Sequence, residues 1–240
     1  MLRLAAVFAL ASSGVVFAAP VPPPSEKELI AKQWGKTEGE GEFELKGKQL
    51  TLRTTFGKPN HAFSWGERVS APRTARPISG DFEITVRIVD AMPPGKDTKH
   101  DTGSSETNAG LYIQGSGMSL RYHLSQTYQR FPGAAANQNM MRWLRIEANY
   151  PRGGASGSIK QAEDGKSTYL RLIRKGKGVS MSYSFDGEKW SAPNNPFQNI
   201  DMSIPDELTV GVFMSHSTYQ HSHATFDGFT IEKLKEEKPK

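Results

Sequence analysis

The sequence contains no cysteine. That excludes a disulfide framework, thiolate metal sites and a cysteine nucleophile, and it removes the residue to which a bacterial lipoprotein attaches its lipid. A domain without such staples must be held by its core alone. Long apolar runs are equally scarce. The one run spans Leu4 to Phe17, is interrupted by Ser12, Ser13 and Gly14, and falls short of the ~20 residues that cross a bilayer. Charge is not concentrated either. The formal net charge is +5, and basic residues alternate with acidic ones except between Arg171 and Lys177. A nucleic-acid binder gathers its cations on one face, so no nucleic-acid partner is expected. The basicity reads as solubility or as weak attraction to anionic envelope polymers.

What is present begins with an export address. Arg3 precedes the apolar run, and Val16 and Ala18 place small residues at −3 and −1 of a cleavage site, the secretory pattern. Residues 1–18 are therefore expected to be a signal peptide, making the mature chain secreted or periplasmic, with no membrane insertion. Residues 19–25 form a proline-rich linker (Ala-Pro-Val-Pro-Pro-Pro-Ser), stiff and extended. Residues 235–240 are expected to be a charged, disordered tail. Residues 26–234 remain as one domain, a length that single sandwiches routinely reach.

Within that domain the periodicity is two. Phe82, Ile84, Val86 and Ile88 alternate with Asp81, Glu83, Thr85 and Arg87. Similar alternation recurs around Phe43, Leu50, Leu111, Leu120, Leu144, Leu170, Val179, Val210 and Phe226. About ten strands follow, joined by Gly, Asn, Asp and Pro turns, with no helix-length segment between them. One short helical turn is expected after Ser25, which has capping-box spacing to Glu28. The pattern is that of an all-β, two-sheet antiparallel sandwich. Trp143-Leu-Arg-Ile and Tyr169-Leu-Arg-Leu are similar strands, not a repeat. Residues 90–107 and 126–141 are expected to be long loops, where specificity on a sandwich often sits.

Three stretches carry a resemblance. They are Ser70-Ala-Pro-Arg73 leading into Ser79-Gly-Asp-Phe-Glu-Ile-Thr-Val86; Ala109-Gly-Leu-Tyr112; and Tyr169-Leu-Arg-Leu-Ile-Arg174 running into Ser184-Phe-Asp-Gly-Glu-Lys-Trp190. Val210-Gly-Val-Phe213 and Ala224-Thr-Phe-Asp-Gly-Phe229 extend it. Together they resemble the concanavalin A-like lectin/glucanase jelly rolls, in particular an exported bacterial branch labelled "regulation of enolase", and the C-terminal sandwich of bacterial β-xylosidases. The resemblance implies a jelly roll. It gives no mechanism, because fold does not imply function.

Three sets of residues compete for a function. Glu40, Glu42 and Glu44 imitate the alternate acids of a glucanase strand. Alternate residues lie ~6.6 Å apart, within reach of the carboxylate separations of glycoside hydrolysis; a charged edge strand is the alternative. His216, His221 and His223, or Asp97 and Asp101, could be read as metal ligands, but neither set has a complete ligand pattern. No metal and no cofactor are expected. Alternation supplies the third set. If Leu111 and Ile113, Leu120, Tyr122 and Leu124, and Leu144 and Ile146 face the core, then Tyr112, Gln114, Arg121, His123, Trp143, Arg145 and Glu147 face outward. Two rings among planar polar groups suit a sugar, whose apolar face stacks while its hydroxyls hydrogen-bond. The expectation is a non-catalytic module binding carbohydrate or another extracellular polymer. The alternatives are a glycoside hydrolase using the three glutamates and a structural surface domain with protein partners. Oligomeric state is left open.

Overall fold

The computed structural model describes residues 23–55, 69–95, 104–129, 140–151, 153–195, 204–217 and 220–235. One helix opens it, α1 (Glu26–Gln33), followed by β1 (Lys36–Glu38), β2 (Glu42–Lys46), β3 (Gln49–Arg53), β4 (Arg73–Ser79), β5 (Phe82–Ala91), β6 (Ser104–Gly115), β7 (Met118–Gln129), β8 (Met140–Tyr150), β9 (Gly153–Gln161), β10 (Thr168–Lys175), β11 (Gly178–Ser184), β12 (Glu207–His216) and β13 (His223–Lys233). The capping box is real: the Ser25 hydroxyl accepts from the Glu28 amide while the Glu28 carboxylate accepts from the Ser25 amide. It nucleates two turns of helix, not one.

The strands form two antiparallel sheets, in the orders β1-β4-β12-β6-β7-β8-β9 and β11-β10-β5-β13-β3-β2. This is a two-sheet jelly-roll sandwich. The core lies between the sheets and follows the alternation. Phe82, Ile84, Val86 and Ile88 are buried on β5 opposite Leu111, Ile113, Leu120, Tyr122, Leu144 and Ile146. Burying side chains of this size stabilises by about 1.5–3 kcal/mol each. Trp34, just past α1, is also buried and stacks on Phe229 at 5.5 Å, closing one end of the core.

Three of the thirteen strands, β1, β4 and β9, exceed the ten expected. None has apolar alternation: β9 reads Gly-Gly-Ala-Ser-Gly-Ser-Ile-Lys-Gln and β4 contains Pro77. Each is made a strand by its neighbour, β9 by pairing with β8 from Tyr150↔Gly153 to Trp143↔Gln161. The two long loops are also shorter than expected. β5 runs to Ala91 and β6 starts at Ser104, while β7 runs to Gln129 and β8 starts at Met140. Residues 96–103, with Asp97 and Asp101, and residues 130–139 lie outside the described residues, as do the expected signal peptide and the last residues of the tail.

The Asp186-Gly187 signal is a turn. Asp186 Oδ1 accepts from the amides of Glu188 and Lys189 and from the Ser184 hydroxyl, and these bonds pull its carboxyl down to about 2. Gly187 sits at φ +83°, and a Cβ there would lie 3.0 Å from the Tyr169 ring. The returning chain bonds to β11 at Met181↔Asn194, and Trp190 lies over the Arg171 guanidinium at 3.8 Å.

Candidate functional site

The strands that carry the outward set are neighbours in the seven-stranded sheet. A two-residue turn, Ser116-Gly117, joins β6 to β7, pairing Tyr112↔Arg121, Gln114↔Ser119 and Gly110↔His123. β7 pairs with β8 through Arg121↔Glu147, His123↔Arg145 and Ser125↔Trp143. Because side chains repeat every two residues, all seven stand on one surface of the sheet.

Their exposure corrects the expected picture of two open rings. Tyr112 is fully buried. It packs with Phe213, Ala71 and Val69, and its hydroxyl donates to the Thr74 carbonyl at 2.8 Å. Burial drives its phenol far above the ordinary range. Alternation set its direction correctly but could not show that residues 69–72 lie across it. Arg73 pins that segment by donating to the Val69 and Ala71 carbonyls and to Glu38. Trp143 is half-buried and is the one ring of the expected pair with exposed surface.

His123 is likewise buried, in a charged cluster. Arg121 is ion-paired with Glu147; Arg145 donates to Glu106 at 3.2 Å and lies 3.8 Å from Glu147; the Ser125 hydroxyl donates to Glu106 at 2.7 Å. The imidazole stands 4.0 Å from Glu147, beyond hydrogen-bond reach, and neither ring nitrogen has a partner among the described residues. Desolvation first, then Arg121 and Arg145, hold its pKa well below the usual histidine value. It is a neutral ring in the wall of the cluster.

Open space lies toward the Gln114 end of this surface. A hollow of about 610 Å³ is bordered by Glu38, Arg73, Pro77, Gln114 and Thr209. A second, of about 250 Å³, is bordered by Arg121, Glu147, Asn149 and Ser156. One outward row links them. Pro77 pairs with Thr209, Thr209 with Gln114, Gln114 with Ser119, Ser119 with Asn149 and Asn149 with Gly154. Five strand spacings of ~4.8 Å make the row ~24 Å long. Asn149, Thr209, Glu38, Glu106 and Ser156 were not among the expected residues. Continuing the alternation from Glu147 to Asn149, and from Tyr112 back to Glu106, would have found two of them.

The other two sets do not assemble. Glu40 precedes β2, its amide donating to the Ser70 carbonyl, so only Glu42 and Glu44 share a strand. That strand is the edge of the six-stranded sheet. Lys46 and Arg53 bind Glu44 there and lower its pKa. His223 faces Asp90 at 3.0 Å, and His221 Nδ1 lies 3.3 Å from the Thr54 carbonyl. His216 ends β12, turned into the protein. Among the described residues, no three metal-ligating side chains come together, and no helix is long and apolar enough to cross a membrane.

No family model matches the sequence, and no curated protein matches it. Solved structures do. A functionally unknown protein from Saccharomyces cerevisiae superposes with a TM-score of 0.59 at 13% identity, over 85% of this chain and 98% of that one. A xylan β-1,4-xylosidase from Bacillus halodurans C-125 gives 0.47 at 12% identity, with 91% of this chain matching 41% of that one. An alginate lyase from Klebsiella pneumoniae gives 0.46 at 10% identity, over 80% and 84%. At these identities the likeness is one of fold, that of the two-sheet jelly-roll sandwich.

Proposed function

We propose that the chain is an exported, non-catalytic sandwich that binds a neutral polysaccharide across the outer surface of its seven-stranded sheet. One observation carries this reading: an outward row across six strands in which four consecutive side chains, Thr209, Gln114, Ser119 and Asn149, can hydrogen-bond over ~14 Å at ~4.8 Å per strand, with a hollow on either side of the β6–β7 hairpin. Gln114, Asn149 and Ser156 donate and accept at once, which suits hydroxyl groups. Arg121 and Glu147 form the wall of the smaller hollow, and Trp143 stands on the same surface ~13 Å farther along β8.

The preference for a neutral polymer rests on pairing. The arginines of this surface, Arg73, Arg121 and Arg145, each face a carboxylate, of Glu38, Glu147 and Glu106, so no net charge is offered to an acidic chain. Export rests on the N-terminal eighteen residues, and affiliation to the "regulation of enolase" branch on the sequence motifs. Both belong to the proposal.

A polysaccharide panel read for binding and for reducing-end release tests it. Binding without release is expected. Gln114→Ala with Asn149→Ala should lower affinity about tenfold or more, each lost hydrogen bond contributing about 1 kcal/mol. Glu42→Gln with Glu44→Gln should leave it unchanged. Reducing-end release, or binding that survives the first double variant, overturns the reading.

A further inference from the structure

A second opening lies at the end of the sandwich, between the sheets, and uses the inward side of strands whose outward side forms the surface above. Three strands change character there. The inward series of β7 runs Leu120, Tyr122, Leu124 and then Gln126; that of β8 runs Ile146, Leu144 and then Arg142; that of β10 runs Leu172, Leu170 and then Thr168. Each apolar series ends in a polar residue at the same end of the molecule. Between them is a cavity of about 340 Å³ floored by Ile88 and Leu124.

The polar residues are not all satisfied by the protein. Thr168 is 1% exposed and its hydroxyl has no hydrogen-bond partner among the described residues; the buried Nε of Arg142 lacks one as well. Gln126 is anchored by donating to the Ala91 carbonyl at 2.7 Å, and Arg142 is held by the Glu163 carbonyl and Asp164. Rigid, buried groups with spare hydrogen-bonding capacity are what a ligand site leaves for its ligand. The charged residues at the mouth cancel: Arg142 and Lys166 against Asp90 and Asp164. That favours a neutral occupant with both donors and acceptors, and the aliphatic floor suits the C–H face of a ring.

We infer that this end cavity binds a single neutral sugar ring, with the Thr168 hydroxyl and the Arg142 guanidinium hydrogen-bonding its hydroxyls and Ile88 and Leu124 beneath its apolar face. The site is separate from the outer surface and does not depend on it.

Calorimetry and saturation-transfer NMR with methyl β-glucopyranoside, methyl β-xylopyranoside and methyl α-mannopyranoside, beside hexanoate as an apolar acid of similar size, test this on the full chain. At least one glycoside should bind and hexanoate should not. Thr168→Val should weaken glycoside binding about fivefold or more without lowering the melting temperature, since the hydroxyl it removes has no hydrogen-bond partner among the described residues. Thr168→Ser, which keeps the hydroxyl, should retain binding. The outer-surface double variant of Gln114 and Asn149 should bind the glycoside as the wild type does. No glycoside binding, preference for hexanoate, unchanged affinity in Thr168→Val, equal loss in Thr168→Ser, or loss in the outer-surface variant would each overturn the assignment.

Discussion

His123 and Phe213 meet edge to face across Gly110, with ring centroids 5.8 Å apart. Gly110 lies between them on β6, paired with both. A Cβ there would fall 2.3 Å from the Tyr122 carbonyl oxygen and 2.5 Å from His123 Cα, neither of which can move without parting the strands. Gly110→Ala should therefore cost at least the ~1–3 kcal/mol typical of overpacking, seen as a lower urea midpoint. A midpoint equal to wild type would show that the rings, not the backbone, set the spacing.

The buried state of His123 has a pH signature. Its folded pKa lies below the unfolded value of 6.5, so in the window below pH 6.5 the unfolded chain takes up a proton that the folded chain refuses. Stability then falls as pH falls, with a slope approaching ~1.4 kcal/mol per pH unit from this group. Urea denaturation at pH 7.5 and 5.5 should show a smaller difference for His123→Leu than for wild type. Equal differences would mean that the ring is protonated in the folded state.

The ion pair beside it can be separated from the site it lines. Arg121 and Glu147 are 12% and 20% exposed, dry enough that a lost charged hydrogen bond matters. Glu147→Gln should destabilise by about 1.5–3 kcal/mol, and adding Arg121→Met should recover part of that by removing the stranded cation. A double variant as unstable as the sum of the singles would show that the two residues act independently.

A fourth expectation concerns the turn at Asp186. Its carboxyl, held at about 2 by two amides and the Ser184 hydroxyl, keeps its turn bonds above the ordinary aspartate range and loses them as pH falls through about 2. Asp186→Ala removes them at every pH. Limited trypsin digestion at pH 8 should then cut after Lys189 faster than in wild type, with a changed Trp190 emission. An unchanged cleavage rate would place the hold on this segment in the Met181↔Asn194 pairing instead.

Alternation made most of the sandwich legible and little of the site. β5 was plain because one face is buried and the other is not, so Phe82 to Ile88 carry the full contrast. β9 was invisible because glycine, alanine and serine have no such contrast, and its conformation is imposed by β8. Direction was legible for Tyr112; cover was not, because residues 69–72 reach it from a distant part of the chain. The Glu40 to Glu44 pattern misled for a local reason, since Gly41, at φ +155° and close against the Arg53 carbonyl and Pro72, separates Glu40 from the strand. The polar ends of β7, β8 and β10 were in the sequence, but only sheet order brings Gln126, Arg142 and Thr168 around one space.

The two-sided use of β7 and β8 bears on how the chain can vary. Arg121 and Gln126 belong to opposite surfaces of one strand, and so do Arg142 and Glu147 on the next. Inserting or deleting a single residue between either pair would turn one end of that strand over, exposing leucines and burying charges. Substitution at these positions is local, whereas a change of length disables both openings at once. Length variation compatible with this architecture therefore belongs in the turns at Ser116-Gly117 and after Tyr150, and a homologue with an altered count inside β7 or β8 should have rebuilt the sheet itself.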